Sequence, residues 1–359
     1  MKTSLLIKAA LILSLVGLSG CAYETKEEAA ARLGKGTNKT GEAGAPSSNV
    51  AAAGRLTTVQ FYVPSMTNNR IDVIDVLSSK SVAQIPLGDA PTVVIFTSTM
   101  RKAYVALQDS GAVAFVNTQT LKVEKEVEVG PLPHGLALSP DNNTLYVATT
   151  GDQFVHTIDT QTGKKGQPID LGVGARTNYL ALYDNQLYVS DHQNNKVYVI
   201  DLKKKALAQT IQTGKLPRAI RLSSNGEKLY VPCAQDNTLE VYEARTGKLL
   251  QSIPTVKGTT DVIVNEDEGT AVVTGAEGNA VAIIQLSNGK ELARIEGLAG
   301  AKHVAFNRLQ TKAYVTLGGS NEVAVIDLEK RQVTERIPVG QMPHGIEIKA
   351  LPGIGGSCG

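Results

Sequence analysis

The stretch "LYVATTGDQFVHTIDTQTGK", Leu145 to Lys164, decides the fold. It reads as an apolar strand, a polar turn, a second strand, and then a turn of Asp, Thr, Gly and Lys. A close relative, "LYVSDHQNNKVYVIDLKKK", begins 42 residues later at Leu187 and runs to Lys205. The interval holds along the chain. The central residue of each such strand falls at Tyr62, Tyr104, Tyr146, Tyr188, Tyr230, Val272 and Tyr314. The polar residue closing the next strand falls at Asp75, Asn117, Asp159, Asp201, Glu243, Gln285 and Asp327. A third series, Gly88, Gly130, Gly172, Gly214, Val256, Leu298 and Gly340, keeps the same step. One local irregularity, "ARTNYLALYDNQLYV", carries two extra residues before its strand and two fewer after it.

Each unit holds four short apolar segments separated by turn signals. In the third copy strand A is 134–139, strand B 144–149, strand C 154–159, and strand D ends at 168–172. Segments this short, rich in Val, Ile, Leu and Tyr and bounded by Gly, Pro, Asn and Asp, are strands. Strand B is apolar at consecutive positions, and successive side chains point to opposite faces. Both faces must therefore be covered, as in the blade of a propeller. A period near 42 residues suits such a blade. The first unit begins at strand B, "QFYVP", and the chain closes on a lone strand A, "PHGIEIK". The last strand can complete the first sheet and leave no open edge. The expectation is an all-β, seven-bladed propeller of four-stranded antiparallel blades over residues 58–349.

The 21 residues "MKTSLLIKAALILSLVGLSGC" combine a basic start, an apolar run too short to span a bilayer, and small residues before Cys21. Leu18-Ser19-Gly20-Cys21 resembles a bacterial lipobox, which implies cleavage after residue 20 and a diacylglycerol on the Cys21 thiol. Ala22 in the next position implies, by the same resemblance, an outer-membrane address in a Gram-negative cell. Residues 22–57 are poor in large apolar groups and read as a flexible tether, and 350–359 as a tail. The expected protein is exported, anchored to a membrane rather than spanning it, and monomeric. Formal net charge is +2, so bulk charge does not call for a polyanion, and nucleic acid is disfavoured as a partner. Cys233 and Cys358 lie far apart in this topology and are expected as free thiols.

The loops joining D to A and B to C meet at one rim, the top. The period places Thr92, His134, Arg176, Arg218, Thr260, Lys302 and His344 there, at the start of the innermost strand. Converging cations would attract an anion, and Arg can clamp a carboxylate at two points. All five His fall near the rim by register: His134, His303 and His344 at A starts, His156 at a C start, His192 in a B–C loop. Three meanings stand open for these groups: ordinary solvated side chains, an anion-binding mouth, or ligands for a metal or haem iron. The Asp75/Asp159/Asp201/Asp327 series, Gly163, Gly247 and Gly289, and Asn69, Asn195, Asn237, Asn279 and Asn321 read as turn residues. Lys203-Lys204-Lys205 reads as a solvated charge run.

"LYVAT", "VYVID", "LALSPD" and "IPVGxxPHGI" together resemble the YVTN family of β-propeller repeats, over residues 58–349. The family's terminal Asn is mostly replaced, as in "YVPS", "YVAL" and "YVSD". The resemblance implies the propeller and a set of unlike functions: surface scaffolds, haem d1 handlers, lyases or lactonases, and binders of macromolecules. The chain has no Trp, which disfavours pyrroloquinoline-quinone propellers, and no CxxCH for covalent haem. It also lacks GxSxG, HExxH and P-loop patterns. The leading expectation is a non-catalytic scaffold that binds a protein or a small anionic ligand at the top rim and carries no cofactor. The alternatives are a haem d1-type or lyase/lactonase-like enzyme using rim His and Arg, and a binder of single-stranded nucleic acid.

Overall fold

The computed structural model describes residues 58–350. The segments expected to hold the signal peptide, Cys21, the tether and Cys358 lie outside the described residues. Twenty-eight strands, β1 to β28 in chain order, form seven four-stranded antiparallel sheets. Blade 1 has the order β28 (Glu347–Lys349), β1 (Gln60–Ser65), β2 (Arg70–Asp75), β3 (Lys80–Pro86). The last strand of the chain thus pairs with the first, Gln60 opposite Lys349 and Tyr62 opposite Glu347. The remaining blades follow in sequence order, and the seven-bladed reading holds.

The core is divided among the blade interfaces. Seven clusters of buried apolar side chains each join two neighbouring sheets. Strands B and C are buried on both faces, as in β5 (Lys102–Leu107) and β6 (Ala112–Asn117). The outermost β7 (Lys122–Glu128) alternates exposed and half-buried residues, as a sheet with one covered face should. The Tyr of the repeat fills the interfaces: Tyr62, Tyr104, Tyr188 and Tyr314 are among the largest fully buried side chains. Rings of Phe61 and Tyr314 meet at 4.2 Å across the junction of the first and last blades.

Turn chemistry follows the repeat. Asn69, Asn195, Asn237, Asn279 and Asn321 all have φ between 50° and 60°. Each also uses its side-chain oxygen to accept the backbone N–H of a D–A loop residue: Ala90, Leu216, Gly258, Gly300 and Met342. They therefore fasten B–C loops to D–A loops, beyond the turn role read from sequence. Asp75, Asp159, Asp201 and Asp327 accept backbone N–H groups inside their C–D turns. Blade 3 departs from the pattern: its outer strand, β11 (Ile169–Asp170), has two residues. Pro168 lacks a donor for the ladder, and Gly166 turns back to bond Thr157 instead.

Near the axis the inner strands approach at backbone contact. Gly345 N–H donates to Thr92 O at 2.9 Å, and a Cβ on Gly345 would lie 2.6 Å from that oxygen. Gly345→Ala should therefore force apart the first two blades and cost about 1–3 kcal/mol, as overpacking does. A urea unfolding midpoint equal to that of the parent would contradict this account of closure.

Candidate functional site

Five inner strands begin with a bulge, and in the other two the isolated bridges Pro217–Cys233 and Ser65–Pro343 precede the strand with the same one-residue slip. In β4 (Pro91–Phe96) the register slips between Pro91 and Val94; in β24 (Ala301–Phe306) it slips between Ala301 and Val304. The slip points two consecutive residues toward the axis. The first of them is Thr92, His134, Asn178, Arg218, Thr260, Lys302 or His344, by position relative to the pairing partner in strand B. This corrects one expected member. In β12 (Thr177–Tyr183) Thr177, not Ala175, pairs with Asp191, so Asn178 takes the rim position and Arg176 falls two residues earlier. The two extra residues before that strand are the cause. Arg176 stays half-buried, its backbone N–H bonded to the Asp191 carboxylate.

The second axial position carries Tyr179, Asp261 and His303 in blades 4, 6 and 7. Their placement has a local cause. A hydroxyl on the adjacent strand B accepts the bulge N–H: Ser190 for Tyr179, Thr274 for Asp261, Thr316 for His303. The same Thr hydroxyls donate to the next blade, Thr274 to Lys302 O and Thr316 to His344 O, both at 2.7 Å. One hydroxyl thus fixes the bulge and ties two blades together.

The result is a polar ring around the axis. His134 Nε2 lies 3.4 Å from His344 Nε2. The His344 ring packs on that of His303, with centroids 4.8 Å apart. His303 Nδ1 lies 3.0 Å from Asp261 Oδ2 and 3.3 Å from the Tyr179 hydroxyl. Tyr179 meets His134 edge-on at 5.3 Å, closing the circuit. Asp261, with no solvent exposure, is well satisfied. It accepts the guanidinium of Arg221 at 3.2 Å, the His303 imidazole, and the backbone N–H groups of Val262 and Val304.

Electrostatics assigns the protons. Burial works against charge on Asp261, but Arg221 and the His303 hydrogen bond outweigh it and hold the carboxyl below its usual range. An ionised carboxylate can only accept, so His303 Nδ1 carries the hydrogen and its Nε2 keeps the lone pair. Burial pushes His303 below the ordinary imidazole value despite Asp261. Burial, aided by His303, Lys302 and Arg218, drives His134 and His344 well below it. His192, buried beside Asn178, is lowered to about 4 by burial and then by Arg218. All four imidazoles are neutral at pH 7, and the mouth's positive charge resides on Arg218, Lys302 and Arg176. Below the ring, Glu347 of β28 has a carboxyl raised by burial and opposed by the charge of Arg221.

The structure brings His134, His344, His303, His192, Arg218 and Lys302 around one axis. His156 does not join them. It stands on β10 (Phe154–Asp159), the third strand of its blade, bonded to Asp152 at 3.0 Å. Cys233 is buried with its thiol directed at Glu240, and burial pushes that thiol up, away from reactivity. Tyr179, Asp261 and Arg221 were missed as site residues. The available signal was the Ser or Thr at the end of "LYVS", "VVT" and "YVT" in the adjoining strands. His134 and His344 do not fit as axial ligands of a haem. An axial ligand needs a lone pair facing an opening, but the Nε2 atoms of His134 and His344 face each other and their Nδ1 atoms are buried without partners. Among the described residues no three His, Cys, Asp or Glu side chains are grouped to hold a metal ion.

The family described as "Lactonase, 7-bladed beta-propeller" matches residues 179–266. That segment includes Tyr179, His192, Arg218, Arg221 and Asp261. No curated protein matches. Among solved structures, a functionally unknown protein from Desulfotomaculum acetoxidans superposes with a TM-score of 0.70 at 17% identity, over 80% of this chain and 98% of that one. Hydrazine synthase of Kuenenia stuttgartiensis gives 0.65 at 20% identity, over 71% and 88%. Dihydro-haem d1 dehydrogenase NirN in complex with DHE gives 0.62 at 16% identity, over 80% and 74%. These likenesses are of fold. The expectation of a scaffold without catalysis is overturned by the family match, which is to a family of lactonases. The missing linear motifs excluded less than the sequence reading assumed, since the axial groups come from six blades and share no local pattern. The chain is a seven-bladed propeller that resembles the lactonase family over residues 179–266, a fold capable of ligand binding or catalysis.

The neutral imidazoles make stability depend on pH with a definite sign. The unfolded chain protonates each His near pH 6.5, while the folded ring does so only at lower pH. The unfolded state therefore binds more protons below about 6.5. Stability should be full above that value and fall as pH drops toward 4, where His192 titrates. The slope is about 1.4 kcal/mol per pH unit for each imidazole still neutral in the fold. Urea midpoints at pH 7.5 and 5 check this, and equal values would refute neutral buried imidazoles.

Proposed function

We propose that this chain is an extracytoplasmic hydrolase of the lactonase kind. It takes a carboxylate-bearing lactone into the upper mouth of its channel. The observation that carries the reading is the Arg221–Asp261–His303 chain beneath a mouth of fixed positive charge. Asp261 holds His303 in one tautomer and orientation, the arrangement of an oriented general base. Water attacks the lactone carbonyl as its proton passes to His303 Nε2. The ring C–O bond then breaks, and the departing oxygen takes that proton, leaving a hydroxy acid. Lys302 and Arg218 hold the substrate's carboxylate and favour the developing oxyanion. Arg176, near the same mouth, adds to the field. The match to the lactonase family over residues 179–266, which include Arg218, Arg221 and Asp261 but not Lys302 or His303, supports the reading.

Anchoring belongs to the same proposal and rests on sequence alone: the apolar leader, the lipobox-like Leu18-Ser19-Gly20-Cys21, and the tether-like 22–57. Lipid on Cys21 would hold the enzyme at a membrane, working as a monomer on a small anionic substrate.

Proton release from a panel of lactones, followed at constant pH, tests the activity. His303→Gln should lower kcat by about 10²–10⁴ in the folded protein, together with a lower thermal midpoint because Asp261 loses a partner, whereas Arg218→Met should act mainly on KM. The reading fails if no lactone opens faster than in buffer, or if folded His303→Gln keeps full activity.

A further inference from the structure

The propeller has two unlike faces, and the mouth uses only one. The opposite, lower face collects the A–B and C–D turns. Both described ends of the propeller lie there too, since β1 starts and β28 finishes at the Gln60–Lys349 pair. The C–D turns (75–80, 117–122, 159–165, 201–206, 243–248, 285–290 and 327–332) carry twelve Lys and Arg against six Asp and Glu. The A–B turns of the same face oppose this by a single charge, with five basic and six acidic residues over 97–102, 139–144, 184–186, 223–228, 265–270 and 307–312. Lys80, Lys122, Lys164, Lys248 and Lys290 stand exposed in one register, and the exposed runs 203–205 and 330–331 serve the other two turns. Every blade thus presents a cation downward. The acidic members keep their charge while they accept turn hydrogen bonds, as with Asp159, Asp201 and Asp327, and Asp201 and Asp327 also pair with Lys204 and Lys330 at 3.4 Å, so the face keeps a basic excess rather than an unopposed ring of cations.

Large apolar side chains protrude between these cations. Leu77 is 85% exposed in a C–D turn and Leu309 80% exposed in an A–B turn. Leu207, Leu249 and Leu250, each about half exposed, begin outer strands just above the same rim. Side chains left this open gain nothing from folding. A basic face interspersed with single leucines matches a layer of anionic headgroups over acyl chains.

We propose that the lower face docks directly on an anionic bilayer surface, so that the upper mouth opens away from the membrane. The charge complementarity, the protruding leucines and the exit of both described ends at this face favour a bilayer over nucleic acid. Nucleic acid would ask for stacking aromatics, and the aromatic of this face, Tyr183, packs on Gly226. The contact is independent of the hydrolase reading and needs no lipid on Cys21.

The ring closes on itself within 58–350, so residues 22–359 can be tested without an anchor. The probe is vesicles of one part phosphatidylglycerol to two parts phosphatidylcholine, against phosphatidylcholine alone. The protein should co-sediment with the anionic vesicles, leave them as salt rises, and ignore the neutral ones. Lys203→Glu with Lys204→Glu and Lys330→Glu should weaken binding about tenfold or more. Leu77→Ser with Leu309→Ser should weaken it severalfold at unchanged charge. Three results overturn the proposal: no binding to anionic vesicles, an equal loss on Arg218→Glu with Lys302→Glu at the opposite mouth, or tighter binding of a single-stranded oligonucleotide than of the vesicles. Persistence of vesicle binding in a protein without lactonase activity would leave this contact standing and remove only the enzyme reading.

Discussion

The pairing of the final strand with the first is the constraint on which the rest depends. A propeller blade cannot cover both of its faces alone, and seven blades do so only if the row becomes a ring. β28 against β1 makes that ring with three residue pairs. The inner strands then crowd one axis so closely that glycine is required where Gly345 passes Thr92. That crowding brings His344, near the end of the chain, against His134 from 210 residues earlier. The site is therefore a product of closure and has no counterpart in any single repeat.

The bulges convert a uniform architecture into a varied site. A regular strand would send alternate residues to the axis, and the lining would be apolar like the faces beside it. The slip exposes two neighbouring positions, and the hydroxyl of Ser190, Thr274 or Thr316 takes the stranded N–H. Blades without that hydroxyl, with Ala106 or Ala148 in its place, present Val93 or Gly135. The polar groups of the second position thus come from blades 4, 6 and 7, and among them Asp261 is fully bonded. Removing Arg221 or His303 would leave a buried charge underpaid, which is why this carboxylate organises its surroundings.

Much of this was legible in the sequence because periodicity records geometry. The steps of Tyr and Asp from Tyr62 and Asp75 onward fixed the blade count, the strand order and the closure. The same rule erred at Arg176, where two residues moved across the strand left the count intact and shifted the register. It placed His156 with the other imidazoles because it tracks height along a blade but not distance from the axis. Tyr179, Asp261 and Arg221 were hidden for another reason: their partners lie 40 to 124 residues away, so no local pattern announces them. A site spread over six blades also escapes any search for linear catalytic motifs, so their absence could not exclude catalysis.

The facing Nε2 atoms of His134 and His344 set a hydrogen-counting problem. Two neutral imidazoles own two ring hydrogens, and only one can lie between them. The ring that donates it keeps a bare Nδ1, and the ring that accepts it must carry its own hydrogen on a buried Nδ1, with no partner for either atom. Exchanging the roles gives an arrangement with the same inventory. Blades 1 and 3 are thereby joined by a reversible bond of two mirror tautomers, and any molecule that reaches either Nδ1 with a donor or an acceptor selects one of them for the whole pair.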